Sequence, residues 1–428
     1  MAPNPNNGGS NDSYVKKLVF MFGLVYFAQG LAQASGLISQ PLSFYMKEVL
    51  HFDEAQSTSY LAVLTLPWII KPLYGLVSDF IPLFGYRRKS WLLLLNVISA
   101  GAFFWLTGLD EPSKIVFALL LTAFGTAASD VIVDALMVEN GQKFNMVGKF
   151  QSVQWFWFYA AQIATSLAGG WLASMSDPGT GLHIAAMITM FAPATVEVAS
   201  WLIVKEDKAK MNLEQLKATT NGLKQAFTSK TLWAAVLFLA FWNFSPSFGT
   251  PMYYHMTDTL KFSQTFIGQL GALGSIGSLI GAWMYGKWFT KRTLNYQLIF
   301  AIASGAIGTF AYLRVVTLTP YSAFLMGTLS FVFGIAGAIA SLTTLSLAGR
   351  SCPPNAEGFT FAALMSVNNG FAQLSAIAGA WMFVHWFDRN LTPLIIVSGV
   401  FTLLCFLLMP TLKAVRGQKA EDEGKENK

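Results

Sequence analysis

Between residues 18 and 411 the chain runs through twelve apolar segments, each close to the length of a membrane span. That pattern admits few folds. A helix crossing a hydrocarbon core of about 30 Å needs about 20 apolar residues, and its amides must be paired within the segment because lipid offers no partner. The segments lie at 18–40, 57–80, 90–109, 114–138, 150–173, 182–204, 231–254, 264–288, 294–313, 319–347, 357–383 and 390–411. An all-α, multi-pass integral membrane protein is predicted. With 54% hydrophobic residues, 12% charged residues and a mean hydropathy of +0.48, the composition agrees.

Orientation follows from the 28 Lys and Arg, because short cytoplasmic loops are enriched in them. With the N-terminus inside, 22 of them fall on the cytoplasmic side and five on the other; Lys71 alone lies in the interior of a segment, away from its ends. Both termini are therefore expected to be cytoplasmic. The net charge of +6 does not mark a nucleic-acid surface, since the cations are spread among loops. The first 15 residues lack a transit-peptide pattern, and the apolar run after them is too long for a cleaved signal. It should remain as segment 1. Cys352 falls in a loop and Cys405 inside segment 12, so no disulfide is expected.

The polar stretch 205–230 divides the segments six and six, which suggests duplication. This gives a tail at 1–17, a bundle at 18–204, a cytoplasmic linker at 205–230, a second bundle at 231–411 and a tail at 412–428. Segments 5 and 11 support the repeat. Gly148 to Trp171 and Gly358 to Trp381 have equal lengths, their AGGW and AGAW endings align without a gap, and Thr165 falls on Ser375. Two parallel six-helix repeats characterise one large transporter class.

Residues three, four and seven apart share a helix face. By this rule segment 1 presents Gln29, Gln33, Gly36 and Gln40, and segment 4 presents Thr122, Thr126, Asp130 and Asp134. Segment 7 presents Asn243, Ser247, Thr250 and Tyr254, while segment 10 carries Gly327, Ser330, Gly334, Gly337, Ser341 and Thr344. The polar faces thus belong to the first and fourth segments of each half. Small residues also serve as packing faces, and the Gly/Ser face of segment 10 fits either role. Charges inside a span are harder to explain that way. Each is disfavoured by about 2.5–3.5 kcal/mol and usually faces a cavity, which singles out Lys71, Asp130 and Asp134.

The stretch GLVSDFIPLFGYRRK, with Gly75, Asp79, Gly85, Arg87, Arg88 and Lys89, resembles the signature between helices 2 and 3 of the major facilitator superfamily. It departs from the usual form in an Asp79–Gly85 interval three residues longer and in Phe80, where a basic residue is common. The longer blocks PWIIKPLYGLVSDFIPLFGYRRKSW and SDVIVDALMVE are similar to those of the folate–biopterin transporter family within that superfamily. The resemblance implies secondary active transport of folate, biopterin or related pteridines, driven by protons, through rocking of two halves. It also implies that helices 1, 4, 7 and 10 line the cavity.

The physical chemistry of such a substrate fits these residues. A pterin presents an amino group beside a ring N–H, which one carboxylate can accept in bidentate fashion, and its flat ring can stack on aromatic side chains. Folate adds a glutamate tail that needs a cation. Lys71 precedes Asp79 by eight residues and Asp130 precedes Glu139 by nine, placing each roughly 12–14 Å from the cytoplasmic end of its helix. Lys71 is expected to pair with Asp130 in at least one state. Asp134, about 6 Å nearer the cytoplasm, is the candidate for the coupled proton or the substrate; a fixed Lys71–Asp ion pair is the alternative. Gln29, Gln33, Trp242 and Asn243 complete the expected pathway, with Trp242 the ring-stacking candidate and Trp155 with Tyr159 either a second wall or an interfacial anchor. Asp79, Arg87, Arg88 and Lys89, with Gly75, are expected to form a cytoplasmic gate. Glu197 suits packing as well as function, and Arg350 and Glu357 suit helix ends.

Enzyme chemistry finds no support. Gly281 to Lys287 reads G-x-x-x-x-G-K, but Trp288 replaces the Ser or Thr of a phosphate loop and the context is an apolar helix. His51, His183, His255 and His385 are dispersed without ligand spacing or a neighbouring nucleophile, so neither a metal nor another cofactor is expected. The other readings are a facilitator for another organic anion or metabolite, and a non-transporting receptor of the same fold. A channel lacks a ring-like filter motif. The expected partners are the lipid bilayer, protons and a folate or pterin, for a monomer in the plasma membrane or cell inner membrane.

Overall fold

The computed structural model describes residues 8–144, 146–208, 228–352 and 357–412. Among them the secondary structure is helical, apart from an isolated bridge between Leu83 and Tyr86. Nine helical stretches are long and apolar enough to cross a membrane. The other expected spans appear as α8 (Val147–Ala173), α16 (Glu357–His385) and the broken pair α11 (Lys230–Asn243) and α12 (Gly249–Asp258). Segments 5 and 11 fall short in apolarity through residues such as Gln154, Gln162, Asn368, Asn369 and Gln373.

The chain packs as two compact units, one of Met1–Leu42 with Leu73–Met211, the other of Ser43–Pro72 with Asn212–Lys428. In the first unit α1 (Gly8–Ala32) packs on α7 (Pro112–Phe144), α8 and α10 (Phe191–Ile203), while α6 (Lys89–Leu106) packs on α7, α9 (Pro178–Thr189) and α10. Asp177 caps α9 by accepting from the amides of Gly179 and Thr180, and Pro178 follows at the first helical position.

The second unit contains an excursion from the first half of the sequence, so packing and the boundary at 205–230 differ for Ser43–Pro72. Hydrogen bonds account for the placement. Helices α3 (Glu54–Ala62) and α4 (Leu66–Ile69) lie on α16, where the Thr65 hydroxyl donates to Gln373 Oε1 at 2.8 Å and Asn369 Nδ2 donates to the Trp68 carbonyl at 3.3 Å. The Tyr254 hydroxyl of α12 lies 2.6 Å from the Phe52 carbonyl and 2.8 Å from Ser57 Oγ. Two ion pairs reinforce them: Lys47 to Asp258 at 2.7 Å, and Arg389 to the buried Glu54 at 3.3 Å. Burial alone would depress the Lys47 ammonium, but its hydrogen bonds to Asp258 and Glu48 outweigh this and hold it above the usual lysine value.

The remaining helices of this unit are α13 (Gln264–Trp288), α14 (Leu294–Ala311), α15 (Ser322–Arg350) and α17 (Leu391–Leu408), while α2 (Ser39–Glu48) and α5 (Lys71–Phe80) straddle the unit boundaries. Helices α13 and α15 touch backbone to backbone. A Cβ on Gly277 would lie 2.2 Å from the Phe331 carbonyl oxygen, and one on Gly334 would lie 2.1 Å from that of Gly274. Part of the Gly/Ser face of segment 10 is therefore a packing face. Two apolar clusters, one around Phe238, Leu298 and Leu347 and another around Met252, Leu391 and Ile395, hold the unit together.

Segments 1 and 7 are not continuous helices. The first breaks between Ala32 and Ser39, the second between Asn243 and Gly249 around Pro246. Each break lies against a glycine in the last two turns of a repeat-related helix: the nearest atom to a Cβ on Gly169 of α8 would be the Leu37 carbonyl oxygen, and to one on Gly379 of α16 that of Ser247. One 210-residue offset carries Gly148 to Gly358, Gly169 to Gly379 and Leu37 to Ser247. The sequence repeat therefore extends to the way each half supports its interrupted first helix.

Candidate functional site

Helix α1 runs along α7 and brings two side-chain pairs together. Gln29 Nε2 donates to Asp130 Oδ1 at 2.8 Å, and the Tyr26 hydroxyl donates to Asp134 Oδ1. Tyr26 and Gln29 are three apart and the aspartates four apart, so each pair sits on one face of its helix. Asp130 is only 6% exposed. Gln29 uses its amide N–H on Asp130, while its own buried oxygen has no hydrogen-bond partner. That open acceptor beside a carboxylate suits a ligand carrying N–H donors.

Aromatic rings adjoin the acidic pair. Trp155 of α8 lies 6.4 Å from the Tyr26 ring, edge to face, and 5.9 Å from Tyr159. Gln162, one helical turn beyond Tyr159, donates to the Gly30 carbonyl at 3.0 Å and ties α8 to α1. Further along α7 the polar stripe does other work. The Thr126 and Thr122 hydroxyls donate to the Thr122 and Leu119 carbonyls, and both threonines are buried. The aspartate side chains of that stripe engage α1, while the Thr122 carbonyl accepts from Ser99 Oγ of α6 at 3.3 Å.

In the second unit, Asn243 Nδ2 donates to Asn368 Oδ1 at 2.7 Å and to the Leu239 carbonyl at 2.8 Å. Its neighbour Trp242 turns elsewhere, stacked on Phe238 at 6.3 Å and packed with the apolar cluster. Gln33 sits just past the end of α1, at the break. Lys71 holds its ammonium 4.7 Å from the centre of the Trp68 ring. Lys71 belongs to the second unit and Asp130 to the first, and each has contacts inside its own unit.

The expected gate residues are held within the first unit. Arg88 is 5% exposed; its Nη2 donates to Glu139 at 3.0 Å and its Nη1 to Ser78 Oγ at 2.8 Å. Its partner in the linker is Glu206, whose carboxylate accepts the backbone N–H groups of Arg87, Arg88 and Lys89 at 2.9–3.1 Å. This carboxylate caps the first turn of α6, where the helix dipole favours negative charge. Lys89 Nζ then donates to the carbonyls of Trp201 and Val204 at the end of α10. Gly75 faces Val131 of α7, Gly85 supplies a turn at φ +85°, and Asp79 lies in α5 with its side chain outside the described residues.

Several contributors escaped the sequence pattern. Tyr26 looks like an ordinary aromatic of an apolar helix, and Glu206 like a solvated linker charge. Asn368, Asn369 and Gln373 of segment 11 also went unmarked, since nothing in their spacing names their partners.

Two interrupted first helices, charged and amide side chains inside apolar spans, and two helical units define a membrane transporter fold. Solved structures share it: the nucleoside transporter NupG has a TM-score of 0.69 at 17% identity over 92% of this chain and 99% of that one. The D-xylose-proton symporter gives 0.70 at 15%, over 94% and 98%. Residues 29–428 match the BT1 family model, and the chain belongs to the BT1 family. The folate-biopterin transporter of Synechocystis sp. is 31% identical over 94% of this chain and 83% of its own length. Folate transporter 1 of Plasmodium falciparum is 25% identical over 87% and 73%.

Proposed function

We propose that this protein carries folate, biopterin or a related pteridine across its membrane, coupled to protons, by alternating access of the halves at 18–204 and 231–411. The observation that carries the reading is the Gln29–Asp130 pair beside Tyr26–Asp134. Asp130 accepts the amino group and ring N–H of the pterin, and the open oxygen of Gln29 takes a further N–H. Trp155 and Tyr159 supply aromatic faces next to them. Asp134 carries the coupled proton, and the hydrogen bond it accepts from the Tyr26 hydroxyl couples that proton to α1. The names of the BT1 relatives support the substrate class.

Uptake of labelled folate and biopterin into proteoliposomes, with and without an imposed proton gradient, tests the reading. Saturable uptake enhanced by the gradient is expected. Absence of saturable uptake of any pterin under both conditions would sink it. Asp130→Asn, which loses one arm of the bidentate acceptor, should weaken uptake roughly tenfold or more. Asp134→Asn should leave uptake indifferent to the gradient. Lys71, proposed to meet the glutamate carboxylates of folate, gives a substrate-selective result: Lys71→Met should depress folate uptake and spare biopterin, which has no such tail.

A further inference from the structure

The end of α13 and the start of α14 form a cationic, aromatic corner that the transport reading does not use. Lys287 Nζ lies 4.8 Å from the centre of the Trp283 ring and 5.7 Å from that of Trp288, and the two indoles stand 5.5 Å apart at 66°. Five residues beyond Lys287 the pattern recurs, with the Arg292 guanidinium 5.7 Å from the Tyr296 ring. Trp283, Trp288 and Tyr296 are 56%, 47% and 49% exposed, and Lys291 is exposed between them. An ammonium laid over indole faces keeps its other N–H groups open to an oxyanion.

Charge balance points to an external anion. No Asp or Glu occurs between Asp258 and Glu357. Elsewhere loop cations have carboxylates, as Lys114 has Glu111 at 2.6 Å and Arg88 has Glu139 at 3.0 Å. Among the described residues, Lys287, Lys291 and Arg292 form no such ion pair. The corner also terminates the apolar stretch Gln264–Lys291, which puts it at headgroup depth, where Trp and Tyr rings are at home. Thr293 caps α14, and the positive end of that helix dipole adds to the field.

We propose that this corner binds the phosphate of an anionic phospholipid, with Lys287, Lys291 and Arg292 on the headgroup and the exposed rings against its glycerol and upper acyl chain. The site does not depend on which solute is carried.

Native mass spectrometry of the protein released from vesicles of equal phosphatidylglycerol and phosphatidylcholine content tests it. Wild-type protein should retain phosphatidylglycerol in clear preference. Each cation near an anionic surface contributes roughly fivefold, so the double variant K287Q/R292Q should lower that retention roughly thirtyfold. Lys291→Gln leaves both cation–ring contacts in place and should lower it roughly fivefold; it carries the test if the double variant does not fold. Lys114→Gln, on an already neutralised cation, should leave retention unchanged. Equal retention of the two lipids, or undiminished phosphatidylglycerol in the Lys291 variant, overturns the proposal. Displacement of the lipid by an equal concentration of inorganic phosphate overturns it too, by assigning the corner to the free ion.

Discussion

Replacing Gly379 by alanine should destabilise the protein by about 3 kcal/mol or more, whereas the same change at Gly169 should be close to neutral. The two glycines are equivalent in the repeat, but their surroundings differ. A Cβ at Gly379 would lie 1.9 Å from the Ser247 carbonyl oxygen and 2.7 Å from that residue's carbonyl carbon and amide nitrogen. That backbone cannot retreat easily, because the Ser247 N–H donates to the Ser375 carbonyl at 3.1 Å and the Ser375 hydroxyl donates to the Ser245 carbonyl. At Gly169 the nearest atom is the Leu37 carbonyl oxygen at 3.2 Å, which a few tenths of an ångström would relieve. Alanine's helix preference of about 1 kcal/mol then offsets the strain. Thermal unfolding of both variants in detergent micelles reads the difference. Equal losses at the two sites would show that the break in segment 7 is not clamped by α16.

The second large effect belongs to Glu206. Glu206→Ala leaves three backbone N–H groups at the start of α6 without their carboxylate, a loss of about 3 kcal/mol after allowing for partial exposure. Glu206→Gln keeps one acceptor oxygen without the charge and should recover less than half of it. The thermal midpoint should fall in the order wild type, Gln variant, Ala variant. An alanine variant as stable as the wild type would mean that water replaces the carboxylate without penalty, and that Glu206 does not fix the residues after α10 to this helix.

The contrast between these residues shows where sequence reasoning succeeds in a membrane protein. Span existence is a property of local composition, so α6, α7 and α17 emerge from apolar runs alone. Charges inside spans are equally conspicuous, and Asp130 and Asp134 do meet another helix. Their partners are a different matter: Tyr26 and Asp134 are 108 residues apart, and only the packing of α1 on α7 joins them. Trp242 and Asn243 illustrate the opposite failure, since adjacency in the chain sends their side chains about 100° apart around a helix, one into an apolar cluster and the other to Asn368. The helix breaks were hidden because hydropathy averages over Gly36 and Pro246, although both residues are breakers in plain sight.

The excursion of Ser43–Pro72 bears on how the polypeptide behaves when it is cut. Cleavage inside 209–227 would yield two fragments whose division ignores the packing, since the amino-terminal piece contributes α3 and α4 to the unit built mainly by the other. Such fragments would have to be pulled past the bonds of Thr65, Trp68, Tyr254 and Glu54 before they parted. A nicked protein is thus held by the amino-terminal segment packed into the second unit, and separately translated halves have a built-in means of finding one another.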